Sequence, residues 1–371
     1  MIIVFAGLIG NCGSGGQAWA YMQYLAGLKD LGHDVYYLED CPENFVWDSG
    51  HKISDIDFRA EFIGNCLKLI CLGDRWIVRV GDRSKGMEID KFRDICSQAD
   101  LLIARANPLS SWREEYNWPR RRVFIDVDPG FTQAAIANQD PSWIEPLKRY
   151  EHLFTIGHRV GAADSLIPAA GFKWEKILPP VSLEYWHFSR KNSAACFTSV
   201  VRLNGPFGGA DCQRRSSFEN FLDLPEGTSQ KICFAVRDAD REFFEINGWN
   251  TLLAEEVART PGSYQEFIEN SRAEFLLAKE GYVTTRSGWF SDRSVCYLAA
   301  GRPVLMQDTG LNDWLPTGEG VVTFTNLTEA IEGIESINAD YERHRCAARR
   351  LAEEYFATGQ VFSGFLETAM S

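Results

Sequence analysis

The sequence predicts an α/β protein built from two doubly wound domains in series. Three observations predict it. Strand-like and helix-like stretches alternate through the first half. A crossing rich in proline and aromatics, "GFKWEKILPPVSLEYWHFSRKN", interrupts them at about residues 170–192, and the alternation then restarts. At 371 residues the chain is also too long for one ordinary core, and two domains of under about 200 residues each suit it.

Taken in order, "IIVFAG" reads as a buried strand, "NCGSGG" as a tight polar turn, and "QAWAYMQYLAGLKDLG" as a helix with Gly32 as its C-cap. "HDVYYLED" follows as a second strand, which makes a βαβ unit with parallel strands and helices on both faces of the sheet. Further strands are "WIVRVG", "LLIARA", "RRVFIDV" and "HLFTIG", with the helix "IDKFRDICSQA" between two of them. Beyond the crossing come the strand "ACFTSVVRL", a helix around "RSSFENFLDL", the strand "KICFAVR", the helix "SYQEFIENS" and the strand "AEFLLAK". The stretch "RSGWFSDRSVCYLAAGRPVL" reads as loop, helix, break and strand. "GVVTF" is another strand, and "LTEAIEGIESI" and "ADYERHRCAARRLAEEYFATG" are helices of good helix formers. The expected division is an N-terminal domain over 1–175, a C-terminal domain over 176–345, and helices over 346–371 that return to the N-terminal domain.

Composition narrows the partners. The chain is 45% hydrophobic and 24% charged, and its net charge of −13 argues against a nucleic-acid backbone or an anionic membrane as the main partner. The apolar opening "MIIVFAGLIG" lacks a basic leader and reads as a first strand, and no stretch reaches the ~18 apolar residues of a membrane span. The ten cysteines are scattered without a Cys-x-x-Cys pair, so they read as reduced thiols of a cytoplasmic protein. Small-molecule ligands are the expected partners, and the oligomeric state is not legible.

Ligands of doubly wound domains bind beyond the carboxyl ends of the strands, so two such edges facing each other would make one deep cleft. Five segments have that address. The glycine loop after strand one, with Gly15 and Gly16 opening a helix, lets backbone approach an anion, although it is not G-x-G-x-x-G in register and no P-loop follows. In "FIDVDPGFTQ", Asp126 and Asp128 end a strand, and Asp128 is the candidate for chemistry. In "FTIGHRVG", His158 comes just after a strand between two glycines and has the best active-site address of the six histidines. "VVRLNGPFGGADCQRR" offers Arg202, Arg214 and Arg215 to clamp a diphosphate. In the loop before the late helix, Ser291 is an N-cap, Asp292 and Arg293 lie in the first turn, and Ser287 and Gly288 suit phosphate oxygens. Trp289 and Phe290 either stack on a base or plug the domain.

These last residues carry a family resemblance. "SDRSVCYLAAGRPVLMQDTGL", followed by "PTGEGVVTF", resembles the donor-binding half of group 1 glycosyltransferases of the GT-B fold. "GGQAWAYMQYLAGLKDLGHDVYYLED" is similar to that fold's first βαβ unit. The resemblance implies two Rossmann-like domains facing across a cleft, with the acceptor in the N-terminal half and a nucleoside-diphosphate sugar in the C-terminal half. It implies no bound metal or other cofactor, the donor being a substrate. The family's two glutamates, eight positions apart, fall here on Gly288 and Cys296, so stereochemistry is not implied, and Asp292, Glu280 or Glu319 would have to substitute.

The expected activity is transfer of a sugar from that donor to an acceptor hydroxyl. Arg202, Arg214 and Arg293, with the backbone of Ser287 to Ser294, would neutralise the leaving diphosphate, and His158 or Asp128 would take the acceptor's proton. Gly15, Gly16, Trp289, Ser291 and Asp292 complete the expected lining. Arg293→Ala is expected to cut turnover and leave the fold intact. The alternatives are a nucleotide-sugar epimerase of the same architecture and a non-catalytic binding protein derived from it.

Overall fold

The structure, a computed structural model, describes residues 1–41, 55–106, 109, 111–189, 195–203 and 215–371. It forms two compact units. The first comprises Met1–Gly161, Pro168–Pro180 and Thr358–Ser371, and the second Ala162–Ile167 and Val181–Ala357.

The first unit is built on an eight-stranded sheet of β1 (Ile2–Ala6), β2 (Asp34–Cys41), β3 (Trp76–Val80), β4 (Arg83–Gly86), β5 (Leu101–Arg105), β6 (Arg121–Asp126), β7 (His152–Thr155) and β8 (Trp174–Lys176). Their order is β4-β3-β2-β1-β5-β6-β7-β8, and all pairs are parallel except the β3–β4 hairpin. Ile3, Val4, Phe5 and Ala6 of β1 are all 0% exposed, as a central parallel strand covered on both faces requires. Each large side chain so buried contributes roughly 1.5–3 kcal/mol. The chain crosses to one side of β1 to make β2 and to the other to make β5, so the topological switch point lies between β1 and β5.

The second unit repeats the plan with β9 (Phe197–Val200), β10 (Ile232–Val236), β11 (Asn250–Leu253), β12 (Ala273–Leu276), β13 (Val304–Gln307) and β14 (Val321–Phe324), ordered β11-β10-β9-β12-β13-β14. All five pairs are parallel, and the switch point lies between β9 and β12. Aromatic rings fill its core. Phe275 stacks on Phe324 at 5.4 Å, and Phe218 meets Phe244 edge-on at 5.0 Å.

Four differences from the sequence expectation have physical causes. The polar turn after β1 is wound into a helical turn, Ile9–Cys12, because side chains of β2 accept its first N–H groups; a left-handed Gly13 ends it. The proline-rich crossing contains β8, which pairs with β7, so the first unit runs on to Pro180. The return to the first unit begins at Thr358 rather than at 346, because the helix Tyr341–Leu351 packs inside the second unit. There Gly27 lets the helix Gly15–Asp30 take the helix Thr358–Ala369 at close range, since a Cβ on Gly27 would sit 2.4 Å from Thr358 Cγ2. Finally, β4 and β11 are short edge strands that the sequence reading leaves out.

Candidate functional site

In the first unit the carboxyl edges of β1, β5, β6 and β7 carry the candidate residues. The N–H groups that open the turn after β1 are already taken. Ile9 N–H donates to Tyr37 Oη at 2.8 Å, and Gly10 N–H donates to Glu39 Oε2 at 2.8 Å. Tyr37 donates to the same carboxylate at 2.8 Å. Arg59 lies 3.8 Å from Glu39 Oε1 and donates to Asn11 Oδ1 at 3.1 Å. All four side chains are essentially buried, and burial pushes the Glu39 carboxyl up to about 7. This turn therefore ends in an internal carboxylate and not in an open anion cradle. Gly15 and Gly16 open the next helix, whose N-cap Ser14 makes no side-chain capping bond.

Asp128 and His158 are brought together. Asp126 of β6 is the register partner of Thr155 of β7, so the two candidates follow paired strands at one edge. Their loops touch: a Cβ on Gly157 would stand 2.3 Å from Pro129 Cβ, which is why that position is glycine. Gly15 and Gly16 come after the turn Ile9–Cys12 that follows β1, two strands from β6 in the sheet order.

Asp126 is the anchor of this edge. It is 1% exposed and accepts from Thr132 Oγ1 at 2.6 Å, Gln133 Nε2 at 3.1 Å and Thr155 Oγ1 at 2.8 Å. Burial raises its pKa even so. Asp128 is half-buried, and its N–H donates to Asp126 Oδ1 at 3.3 Å. His158 is pushed down to about 4, first by burial and then by the charge of Lys176, while a hydrogen bond to the Ile177 backbone works the other way. The imidazole is thus neutral near pH 7, and the same burial and charge make it a weaker base than an exposed histidine. Lys176 itself is lowered to about 8 by burial.

In the second unit the helix Asp292–Ala299 starts at the carboxyl edge, because it runs back to the beginning of β13. Here the structure corrects several readings. Ser287 is 0% exposed; its hydroxyl donates to Tyr282 O at 3.2 Å and accepts from Trp289 N–H at 3.3 Å. Gly288, left-handed at φ 67°, donates its N–H to Thr309 O at 2.7 Å. Trp289 is 7% exposed and stacked on Tyr282 at 4.5 Å, so it plugs the unit and offers no open face to a base. Phe290 stacks on Phe356 at 5.0 Å. Ser287 to Phe290 therefore suspend the helix from the turn after β13 and do not line a ligand. Ser291 caps the helix by accepting from Arg293 N–H at 3.1 Å, and Asp292 is half-buried in its first turn.

Arg293 is also committed. Its Nε donates to Glu274 Oε1 at 2.5 Å and its Nη1 to Val200 O at 2.9 Å, across the switch point between β9 and β12. Glu274 is 0% exposed and accepts from Ser294 Oγ at 2.6 Å as well. Removing Arg293 would strand a buried carboxylate, so the expectation that Arg293→Ala leaves the fold intact does not hold.

Arg202, half-buried, follows β9 at the same switch point. Arg214 lies outside the described residues. Of the proposed substitutes for the missing glutamates, Glu280 follows β12 at the carboxyl edge and accepts from Ser216 Oγ at 2.9 Å. Glu319 precedes β14, which puts it at the opposite, amino edge of a parallel sheet, ion-paired with Arg343. It cannot serve the site. Cys296 is buried inside the helix.

Three groups were not singled out from the sequence. Glu274 had a signal, an acid inside an apolar strand, which demands a cation. Lys279 follows β12, with Nζ 5.2 Å from the Tyr282 ring centroid. Lys176 sits on a three-residue strand with no periodicity to reveal it. Among the described residues, no group of three or more His, Cys, Asp or Glu is placed to hold a metal ion.

No family model matches the sequence, and no curated protein matches it. Solved structures do match over the full length. An alpha-glucosyltransferase in complex with UDP and a 13-mer DNA is 14% identical, with a TM-score of 0.62 and 100% of this chain and 99% of that chain covered. HepE from Anabaena, in complex with UDP-glucose, is 11% identical, with a TM-score of 0.62 and coverage of 99% and 98%. Sucrose-phosphate synthase from Thermosynechococcus elongatus is 10% identical, with a TM-score of 0.57 and coverage of 99% and 100%. The two Rossmann-like units of this chain thus have the GT-B fold.

Proposed function

We propose that the protein is a glycosyltransferase that moves a sugar from a nucleoside-diphosphate sugar to an acceptor hydroxyl, without a metal ion. The observation that carries this reading is the full-length likeness to GT-B structures solved with UDP or UDP-glucose. The polar carboxyl edges of both sheets support it. The donor is assigned to the second unit. Arg202 and Lys279, flanking the switch point between β9 and β12, would meet the negative charge that builds on the leaving diphosphate. Arg293 contributes from below, through its hold on β9 and on Glu274. Glu280 would face the ribose or the sugar.

The acceptor is assigned to the first unit. The hydroxyl becomes more acidic as its bond to the sugar forms, and a neutral imidazole can then take its proton. His158 has that form near pH 7, with Asp128 on the adjoining loop to orient the hydroxyl. The test is release of nucleoside diphosphate from UDP-sugars, with water as the slow acceptor and then with hydroxylated acceptors, in the presence and absence of EDTA. Release that EDTA leaves unchanged supports the reading, and no release from any sugar nucleotide, in wild type at high enzyme concentration, overturns it.

A further inference from the structure

We propose that Lys176 is a positioning residue for His158, its ammonium clamping the loop on both sides of the histidine and so fixing where the imidazole points. The proposal rests on the reading of His158 as the acceptor-side base. Lys176 ends β8, and its Nζ donates to Gly157 O at 3.2 Å and to Val160 O at 2.5 Å. These carbonyls stand one residue before and two residues after His158. The next residue completes the frame: Ile177 N–H donates to Thr155 O at 3.1 Å, and the Ile177 backbone bonds the imidazole.

The loop has little room to drift. Pro129 lies against Gly157, and Gly157 N–H is held by Thr155 Oγ1 at 3.1 Å, itself tied to Asp126. Lys176 as a whole is exposed, and its ammonium is part-buried where it meets the two carbonyls. What an apolar side chain cannot do is donate to two carbonyls of one loop. The charged groups that face this clamp are Asp126 from β6, Glu175 from β8 itself, and His158. The Lys176 charge next to the ring also disfavours its protonation, in agreement with the geometry.

The experiment is a pH titration of His158 in the full chain by NMR of ring-labelled histidine, assigned with His158→Asn, on wild type, Lys176→Met and Lys176→Arg. In Lys176→Met the His158 midpoint should rise by about one pH unit. The turnover of that variant should fall by about tenfold or more with donor KM unchanged. Lys176→Arg should keep the midpoint low and most of the turnover. A His158 signal that titrates identically in Lys176→Met and wild type overturns the proposal. If Lys176→Met fails to fold, wild type still decides: the His158 resonance should shift a second time as Lys176 loses its proton, and a flat response from neutral pH up to about pH 11 overturns the clamp. Absence of any transferase activity in wild type would refute the proposed function and leave the NMR result to judge the clamp on its own.

Discussion

Arg293→Ala leaves the Glu274 carboxylate, 0% exposed, without the cation that holds it at 2.5 Å. Breaking such a pair from one side costs about 3–5 kcal/mol, so the variant should unfold at clearly lower denaturant than wild type. Arg202→Ala removes a half-buried cation and should lower the denaturation midpoint less than Arg293→Ala does, while kcat/KM for the donor falls by about 10–100-fold. Equal midpoints for the two variants would refute this division of labour. His158 adds a pH effect of definite sign. Its folded pKa of about 4 lies below its unfolded value of 6.5, so between those values the unfolded chain binds more protons and stability rises with pH. Glu39, raised by burial, acts in the opposite sense over an overlapping range, while His33 and His344, both lowered, act with His158. The slope specific to His158 is therefore a difference: wild type should lose up to about 3 kcal/mol more than His158→Asn on going from pH 7 to pH 4. Urea unfolding at the two pH values measures it, and parallel losses would contradict the buried neutral imidazole.

At the scale of elements, Gly27 sets two effects against each other. Alanine in mid-helix ordinarily gains about 1 kcal/mol over glycine. Here the new Cβ would meet Thr358 Cγ2 at 2.4 Å and a Phe362 ring carbon at 2.7 Å, and such overpacking costs about 1–3 kcal/mol. Gly27→Ala should lower stability, and a stabilised Gly27→Ala would show that the helix Thr358–Ala369 does not lie on Gly15–Asp30 as described. The central strands were legible because each is an apolar run bounded by polar turns, as in "IIVFAG" and "RRVFID". The edge strands were not. β4 is "RSKG" with all four residues exposed, β11 is half-exposed along its length, and β8 spans only three residues beside two prolines. The candidate site divides in the same way. The strand-end addresses of Asp128 and His158 could be read, and the structure puts the two on adjoining loops. Ser287 to Trp289 looked like a ligand loop because glycine and serine suit one, but their hydrogen bonds run to Tyr282 and Thr309, and no local pattern reveals such partners.

At the scale of the whole molecule, each unit is a doubly wound sheet with candidate site residues at the carboxyl edge, after β6 and β7 in the first unit and beside the switch point in the second. No helix among the described residues is long and apolar enough to cross a membrane. The full-length match at 10–14% identity shows that the two units keep the GT-B plan at low sequence identity. Sugar-nucleotide binding is the claim on which the rest depends, and a ligand that binds only the native state stabilises it by about 2.7 kcal/mol at a hundred times its Kd. The most direct measurement is therefore the melting temperature of the intact protein with and without UDP and UDP-sugars. The account predicts a concentration-dependent rise in wild type that Arg202→Ala largely loses. An unchanged melting temperature with every nucleoside diphosphate and sugar nucleotide at millimolar concentration would contradict it.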